Sequence, residues 1–328
     1  MRILVTGVAG FIGMHLTRRL LGEGHDVFGL DGFTDYYDPA LKRARYATFS
    51  EHPRFAGRET MLEDAAAISR ITREFRPDAV FHLAAQAGVR YSLEAPGSYV
   101  SSNIVGTFNL LEAVRATPVR HLLIASTSSV YGANPPPFRE TDRTDHPLSI
   151  YAATKKATED IAHSYAHLFG QPTTLMRFFT VYGSWYRPDM ALYKFARAIF
   201  AGEPIDVYNR GKMRRDFIYI DDVVESLVRL VDKPPRAGED ASSSPVAPCR
   251  VVNVAGAAPV ELEDYIAAIE AAAGRKAIRR DLPMQAGDMV ETAANSAVLE
   301  RLTGFVPKTR IDEGIAVFVE WFRKYHRV

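Results

Sequence analysis

Short apolar runs alternate with segments of helical periodicity along the first half of the chain. Arg2-Ile3-Leu4-Val5 is an apolar run flanked by turn residues, the pattern of a strand buried on both faces. A glycine-rich turn over 6–13 follows, and Leu16, Leu20 and Leu21 then fall at helical spacing within 14–22. Val27-Phe28-Gly29-Leu30 repeats the strand pattern and ends at Asp31. Residues 78–83 and 122–126 read as further strands, each preceded by a helical stretch. This alternation predicts right-handed βαβ units, hence an α/β fold with a Rossmann-type doubly wound parallel sheet. After Leu175-Met176-Arg177-Phe178 the alternation weakens, so a smaller C-terminal α/β part is expected, with helices over 265–274 and 312–325. The polar stretch 32–50 reads as a long loop passing into a short helix. The Pro- and Ser-rich stretch 233–249 reads as a mobile surface loop without a function of its own.

Charge and composition narrow the classes. The formal net charge is +1, so no broad basic field draws nucleic acid or anionic lipid. Cys249 is the sole cysteine, which removes any intrachain disulfide and fits a reducing compartment. No apolar run approaches the roughly 18–20 residues of a membrane span, and Met1 leads into a strand rather than a leader. A cytoplasmic protein with no nucleic-acid or membrane partner and no metal site is expected.

Gly7, Gly10 and Gly13 lie between a predicted strand and a predicted helix, with Phe11 and Ile12 among them. Such a turn brings backbone close to a pyrophosphate, whose charge then faces the N–H groups and dipole of the helix. Asp31 ends the second strand 18 positions after Gly13. A carboxylate there bonds both hydroxyls of an adenosine ribose and repels a 2′-phosphate, so NAD is favoured over NADP.

Tyr151 and Lys155 stand one turn apart in a stretch of helical character. A tyrosine with a free pKa of about 10 is a poor base at neutral pH, and a neighbouring ammonium lowers that value. Upstream, Ser126-Thr127-Ser128-Ser129 puts hydroxyls at the C-terminal end of a predicted strand, the edge at which open α/β sheets bind ligands. Alone, each pattern also suits a solvated helix face or a hydrogen-bonded turn.

Taken in order, these motifs resemble the extended short-chain dehydrogenase/reductase family. His82-Leu83-Ala84-Ala85-Gln86 and Asn103-Ile104-Val105-Gly106 add to the likeness, which covers essentially the whole chain. Within that family the chain is most similar to the UDP-glucuronate 4-epimerases. That likeness rests on Ala87-Gly88-Val89-Arg90-Tyr91-Ser92, Arg177-Phe178-Phe179-Thr180-Val181-Tyr182-Gly183, Arg187-Pro188-Asp189-Met190-Ala191, Pro204-Ile205-Asp206-Val207-Tyr208-Asn209, and the string from Asp145 to Lys156. The resemblance implies NAD-dependent inversion at C4 of a UDP-uronic acid through a transient 4-keto sugar, with the cofactor retained and regenerated each turnover.

It also implies roles. Tyr151 would move the O4 proton, Thr127 would share the O4 hydrogen bond, and Lys155 would assist and bond the nicotinamide ribose of NAD. Ser128, Ser129 and Thr180 would face the C6 carboxylate, with Arg187 adding charge. Arg90 would belong to the substrate site, Arg215 would hold the pyrophosphate, Tyr208 would stack on uracil, and Asp288 would bond the uridine ribose. Leu62, Leu83, Ala84 and Ala85 would join the glycine turn and Asp31 around NAD. Residues 1–178 would form the NAD-binding domain, joined again by 212–252, and 179–328 would mainly bind the nucleotide sugar. The family is usually dimeric, through helices matching about 103–117 and 151–169.

Four positions depart from relatives. Related decarboxylases and dehydratases place an acid just before Val-Tyr-Gly, where this chain has Ser129; hydroxyls can hold a carboxylate without an acid's proton chemistry. UDP-glucose/UDP-galactose epimerases usually carry Asn where this chain has Thr180. Met61 replaces the acid that usually bonds the adenine amine, which predicts a looser hold on NAD at that end. Tyr186 replaces a glycine and is expected to narrow the sugar pocket. The alternative readings are a UDP-glucose-type epimerase, a UDP-glucuronate decarboxylase, and a non-catalytic NAD-binding redox sensor, the last disfavoured by the intact Tyr151, Lys155 and Thr127.

Overall fold

The computed structural model describes residues 1–256, 258–284 and 289–328. Local chemistry starts each element. β1 (Arg2–Thr6) runs through the glycine turn into α1 (Phe11–Gly22), then β2 (Asp26–Asp31). The polar stretch after β2 becomes α2 (Pro39–Ala47), because Pro39 suits the first helical position and Asp38 caps the Ala40 N–H at 2.8 Å. β3 (Phe55–Glu59), α3 (Ala65–Phe75) and β4 (Ala79–His82) follow. Two single-turn helices, α4 (Tyr91–Glu94) and α5 (Pro96–Tyr99), and a π turn over Val100–Val105 lead into α6 (Gly106–Ala116). β5 (His121–Thr127) ends in a 3₁₀ turn, and α7 (Ile150–Phe169), capped by Ser149, leads to β6 (Thr173–Phe178).

Among the described residues, the large sheet has seven parallel strands in the order β3-β2-β1-β4-β5-β6-β10, with β10 at Cys249–Val254. The predicted doubly wound parallel sheet is therefore present. All but the exposed edge strand β3 are largely buried on both faces, which is why the inner strands read as apolar runs. Ile3, Val5, Phe81 and Met176 enter one core cluster, and Leu4, Val80, Ile124 and Leu175 enter the other. The strand order reverses between β1 and β4, opening a crevice at their C-terminal ends.

The smaller part is built from short strands. β9 (Arg214–Tyr219) pairs in parallel with β7 (Thr180–Tyr182) and antiparallel with β11 (Pro259–Glu261). β8 (Pro204–Tyr208) pairs with β12 (Ile278–Leu282). α8 (Ala191–Ala201), α10 (Leu262–Ala273), α11 (Ala297–Thr303) and α12 (Ile311–His326) complete it. The expected return over 212–252 is corrected at its start. β9 belongs to the small sheet, and the chain rejoins the large unit only at α9 (Ile220–Val231), which packs on α1. The segment 233–248 is pinned rather than free: Arg301 pairs with Asp240 at 2.5 Å, and His163 and His167 reach Ser244 and the Val246 carbonyl.

Candidate active site

A cleft of about 1080 Å³ follows the C-terminal edge of the large sheet and continues between it and the smaller part. Its dinucleotide end starts at the glycine turn. Gly7 has φ +74° and lies so close to the β4 loop that a Cβ would stand 2.7 Å from the Ala84 nitrogen. A Cβ on Gly13 would stand 2.0 Å from the Gly7 carbonyl. Only glycine lets the turn close this tightly. Gly10 caps α1 with no side-chain acceptor, so the helix offers its N-terminal backbone to the cleft. Asp31 accepts from Ala9 N–H at 2.9 Å and Phe33 N–H at 2.8 Å. Burial raises its pKa, and those two N–H groups with Lys42 and Arg45 hold the rise in check. Phe11, Ile12, Leu62, Leu83, Ala84 and Ala85 line the same end. This glycine cradle and carboxylate fit a dinucleotide.

The chemical centre lies where β5, β6 and α7 meet. Tyr151 sits in the first turn of α7 and lines the cleft together with Thr127. Burial pushes Tyr151 upward, while the Arg187 charge and the Thr127 hydroxyl pull it down. Lys155, 2% exposed, is pushed down by burial to about 8, opposed by Glu159. The Arg187 charge reaches Tyr151 from across the cleft, and the Lys155 ammonium, one turn along α7, also lowers the pKa of buried His82. Thr127 accepts from Ser129 N–H and donates to the Ser129 hydroxyl, both at 3.2 Å, and so holds Ser128 and Ser129 in the turn after β5. Thr180 opens β7 on the same cleft.

Arg187 is not a lone charge. Its Nε and Nη2 grip Asp189 at 3.0 and 2.6 Å, and Tyr36 donates to the same carboxylate at 3.0 Å. Although burial works the other way, Arg187 and Tyr36 hold Asp189 below the ordinary carboxylate value. Arg90 lies over the Tyr208 ring at 5.2 Å. Arg215 donates to the carbonyls of Arg214 and Val290 at 2.9 and 3.1 Å. All three line the cleft; Asp288 lies outside the described residues. The Tyr186 ring packs on Phe11 and Phe318, so most of its bulk fills the core behind the sugar pocket rather than the pocket itself.

Several supporting residues escaped the sequence reading. Asn103 bonds Gln86 through both its N–H and C=O and also reaches Thr154, tying the π turn to the β4 loop and to α7. Glu159 forms a buried pair with Arg177 at 2.7 Å and accepts from Ser126 at 2.6 Å beneath the centre. Fully buried Arg45 donates to Ala9 of the glycine turn and to Trp185 and Tyr186 beside Arg187. Each connects residues far apart in the chain; the places of Asn103 and Arg177 in the quoted motifs are the available signals.

Comparison with known proteins extends this geometry. Residues 3–243 match the family described as "NAD dependent epimerase/dehydratase family". The chain is 53% identical over 335 residues to a probable UDP-glucuronate 4-epimerase of Rhizobium meliloti (strain 1021), covering 100% of this chain and 98% of that one. It superposes with a TM-score of 0.90 and 30% identity on the UDP-glucuronic acid 4-epimerase of Bacillus cereus, solved with UDP-glucuronic acid and NAD, over 99% of this chain and 100% of that one. A UDP-glucose 4-epimerase of Thermotoga maritima, solved with UDP-glucose, gives a TM-score of 0.86 at 28% identity, over 99% and 100% of the two chains.

Proposed function

Because the chain belongs to the NAD dependent epimerase/dehydratase family, we propose that its cleft interconverts UDP-glucuronate and UDP-galacturonate by inverting C4. The observation that carries this reading is the hydroxyl wall. Thr127, Ser128, Ser129 and Thr180 line the cleft with Tyr151, and Ser129 stands where an acid would precede Val130-Tyr131-Gly132.

NAD, when bound at the glycine turn, accepts the C4 hydride and returns it. Tyr151 takes the O4 proton and gives it back once the sugar presents its other face. Thr127 holds the tyrosine hydroxyl in line, and the Arg187 charge favours its phenolate form. Arg187 is itself held by Asp189 and Tyr36. Ser128, Ser129 and Thr180 hold the C6 carboxylate. Hydroxyl contacts exchange readily as the 4-keto sugar turns, whereas a fixed ion pair would resist the turn. They also offer no proton to assist loss of carbon dioxide. Arg215 and Arg90 hold the diphosphate side, and Tyr208 the uracil.

We further propose that the protein is cytoplasmic and that two copies associate through α6 and α7. The support for that pairing is the apolar exposure of Val105, Phe108, Leu168 and Phe169.

Incubation with UDP-glucuronate, followed by NMR of the products, tests the reaction. UDP-galacturonate is expected; UDP-xylose or a 4-keto pentose would replace this reading with a decarboxylase. UDP-glucose should turn over with a kcat/KM at least about tenfold lower, the scale of one lost charge-assisted contact. Equal values would remove the carboxylate assignment.

A further inference from the structure

Residues 32–38 join β2 to α2, and Thr34, Tyr36 and Tyr37 among them line the cleft. Both ends of this segment are fixed on the cofactor side. Asp31, just before it, accepts from Phe33 N–H at 2.8 Å. Lys42 of α2 donates to the Thr34 carbonyl and hydroxyl at 2.6 and 2.9 Å. Arg45 donates to the Tyr37 hydroxyl at 2.6 Å and to the Ala9 carbonyl of the glycine turn at 3.3 Å.

The middle of the segment leaves that side. The Tyr36 ring lies 4.7 Å from the ring of Tyr91 in α4. Its hydroxyl sits over Gly88, where a Cβ would stand only 2.3 Å away, and donates to Asp189 of the smaller part at 3.0 Å. The sheet order says what this path crosses. β1 stands between β2 and β4, so a segment reaching from the end of β2 to the loop after β4 passes over the end of β1. The glycine turn sits there. A dinucleotide with its ribose at Asp31 and its pyrophosphate on that turn follows the same course, between the turn and the segment.

We propose that residues 32–38 form a strap across the NAD pyrophosphate, latched by the Tyr36–Asp189 hydrogen bond, and that cofactor enters and leaves only when the latch opens. Tyr36 and Asp189 are the positioning residues of the strap, and neither needs to touch the cofactor. The latch joins two groups of this chain, so its loss speeds entry and exit alike. Asp189 is partly open to water, so opening exchanges one hydrogen bond for another and stays within reach of thermal motion. Arg187 grips the same carboxylate and keeps it in place when Tyr36 lets go.

The inference rests on the NAD site and not on the sugar chemistry, and its test needs no turnover. Protein loaded with radiolabelled NAD is chased with excess unlabelled NAD, and the label retained over time gives the exit rate. Equilibrium dialysis of labelled NAD gives Kd. Tyr36→Phe keeps the ring on Tyr91 and removes only the donor. Exit should become about tenfold faster, the scale of one hydrogen bond to a charged group, with Kd within about threefold of wild type. In an Asp189→Ala background the Tyr36→Phe change should have little further effect, because the two residues act as one latch. An unchanged exit rate in Tyr36→Phe, or an equal acceleration in both backgrounds, would overturn the latch. Exit and Kd rising by the same factor would also overturn it, by making Tyr36 a direct cofactor contact. A wild type that binds no NAD would overturn the strap together with the NAD site, whereas the other adverse results, beside normal NAD binding, remove the latch alone.

Discussion

At the scale of single residues, the site trades stability for chemistry. Lys155 is nearly fully buried beside Tyr151, and burial lowers its pKa from 10.5 to about 8. The sign follows from proton counting. Between pH 8 and 10.5 the unfolded chain binds a proton that the folded chain does not, so stability rises with pH through that window. Below about pH 8 the full cost of a desolvated ammonium is present, up to about 3 kcal/mol. Lys155→Met should therefore raise unfolding stability at pH 7 by up to about that amount while nearly abolishing turnover. The gain should fade above pH 8 and vanish near pH 10.5. Urea unfolding at several pH values reads this directly, and destabilisation at pH 7 would show that the ammonium is better satisfied than its burial implies. The same residues mark what the sequence discloses. Tyr151, Lys155 and the glycine turn are local patterns whose spacing carries meaning. The Tyr36–Asp189–Arg187 chain is not, because Tyr36 and Asp189 are brought together across 153 positions by folding alone.

At the scale of elements, legibility follows burial. β1, β4 and β6 are buried on both faces and read as apolar runs. β12 is exposed along most of its length and β11 spans only three residues, so neither has a periodicity to read; pairing with β8 and β9 creates them. The π turn at Val100–Val105 is equally silent, since its i→i+5 geometry has no residue code. His121 shows how one residue binds elements together. Its ring lies 2.8 Å from the Thr174 hydroxyl of β6 and 3.0 Å from the Val231 carbonyl that ends α9. Burial pushes its pKa from 6.5 down to about 3. As pH falls from 6.5 toward 3 the unfolded chain takes up a proton that the folded one refuses, so stability is lost across that window. The slope is about 1.4 kcal/mol per pH unit for one histidine. His121→Gln should lower stability modestly at pH 7 and remove about that slope between pH 6 and 4. An unchanged slope in denaturant titrations would mean that His121 is not part of the acid response.

At the scale of the whole molecule, the sheet accounts for one face of α6 and α7 and leaves the other open. Their inner residues join the core beside β4 and β5. Outside, Phe108, Tyr165 and Phe169 form an aromatic strip across both helices, with centroid distances of 6.4 and 5.2 Å between successive rings. Phe108 and Phe169 are 45% and 48% exposed, and Leu168 is 67% exposed. Contiguous exposed apolar surface marks an association face. Two antiparallel copies of a helix pair can meet on themselves about a two-fold axis, the commonest way for identical subunits to close. Glu112 stands beside the strip, accepting from Tyr165 and paired with Arg115. A second carboxylate placed among the rings would thus meet both an apolar partner face and an existing negative charge. Phe108→Glu should convert a two-chain particle to a single chain in light scattering coupled to gel filtration. The glycine turn, Tyr151 and Arg215 all line the cleft from one chain, so the single chain should still bind UDP within a few-fold of wild type. A Phe108→Glu protein that keeps the two-chain mass would place the interface elsewhere, and a wild type of single-chain mass would leave the strip without this role.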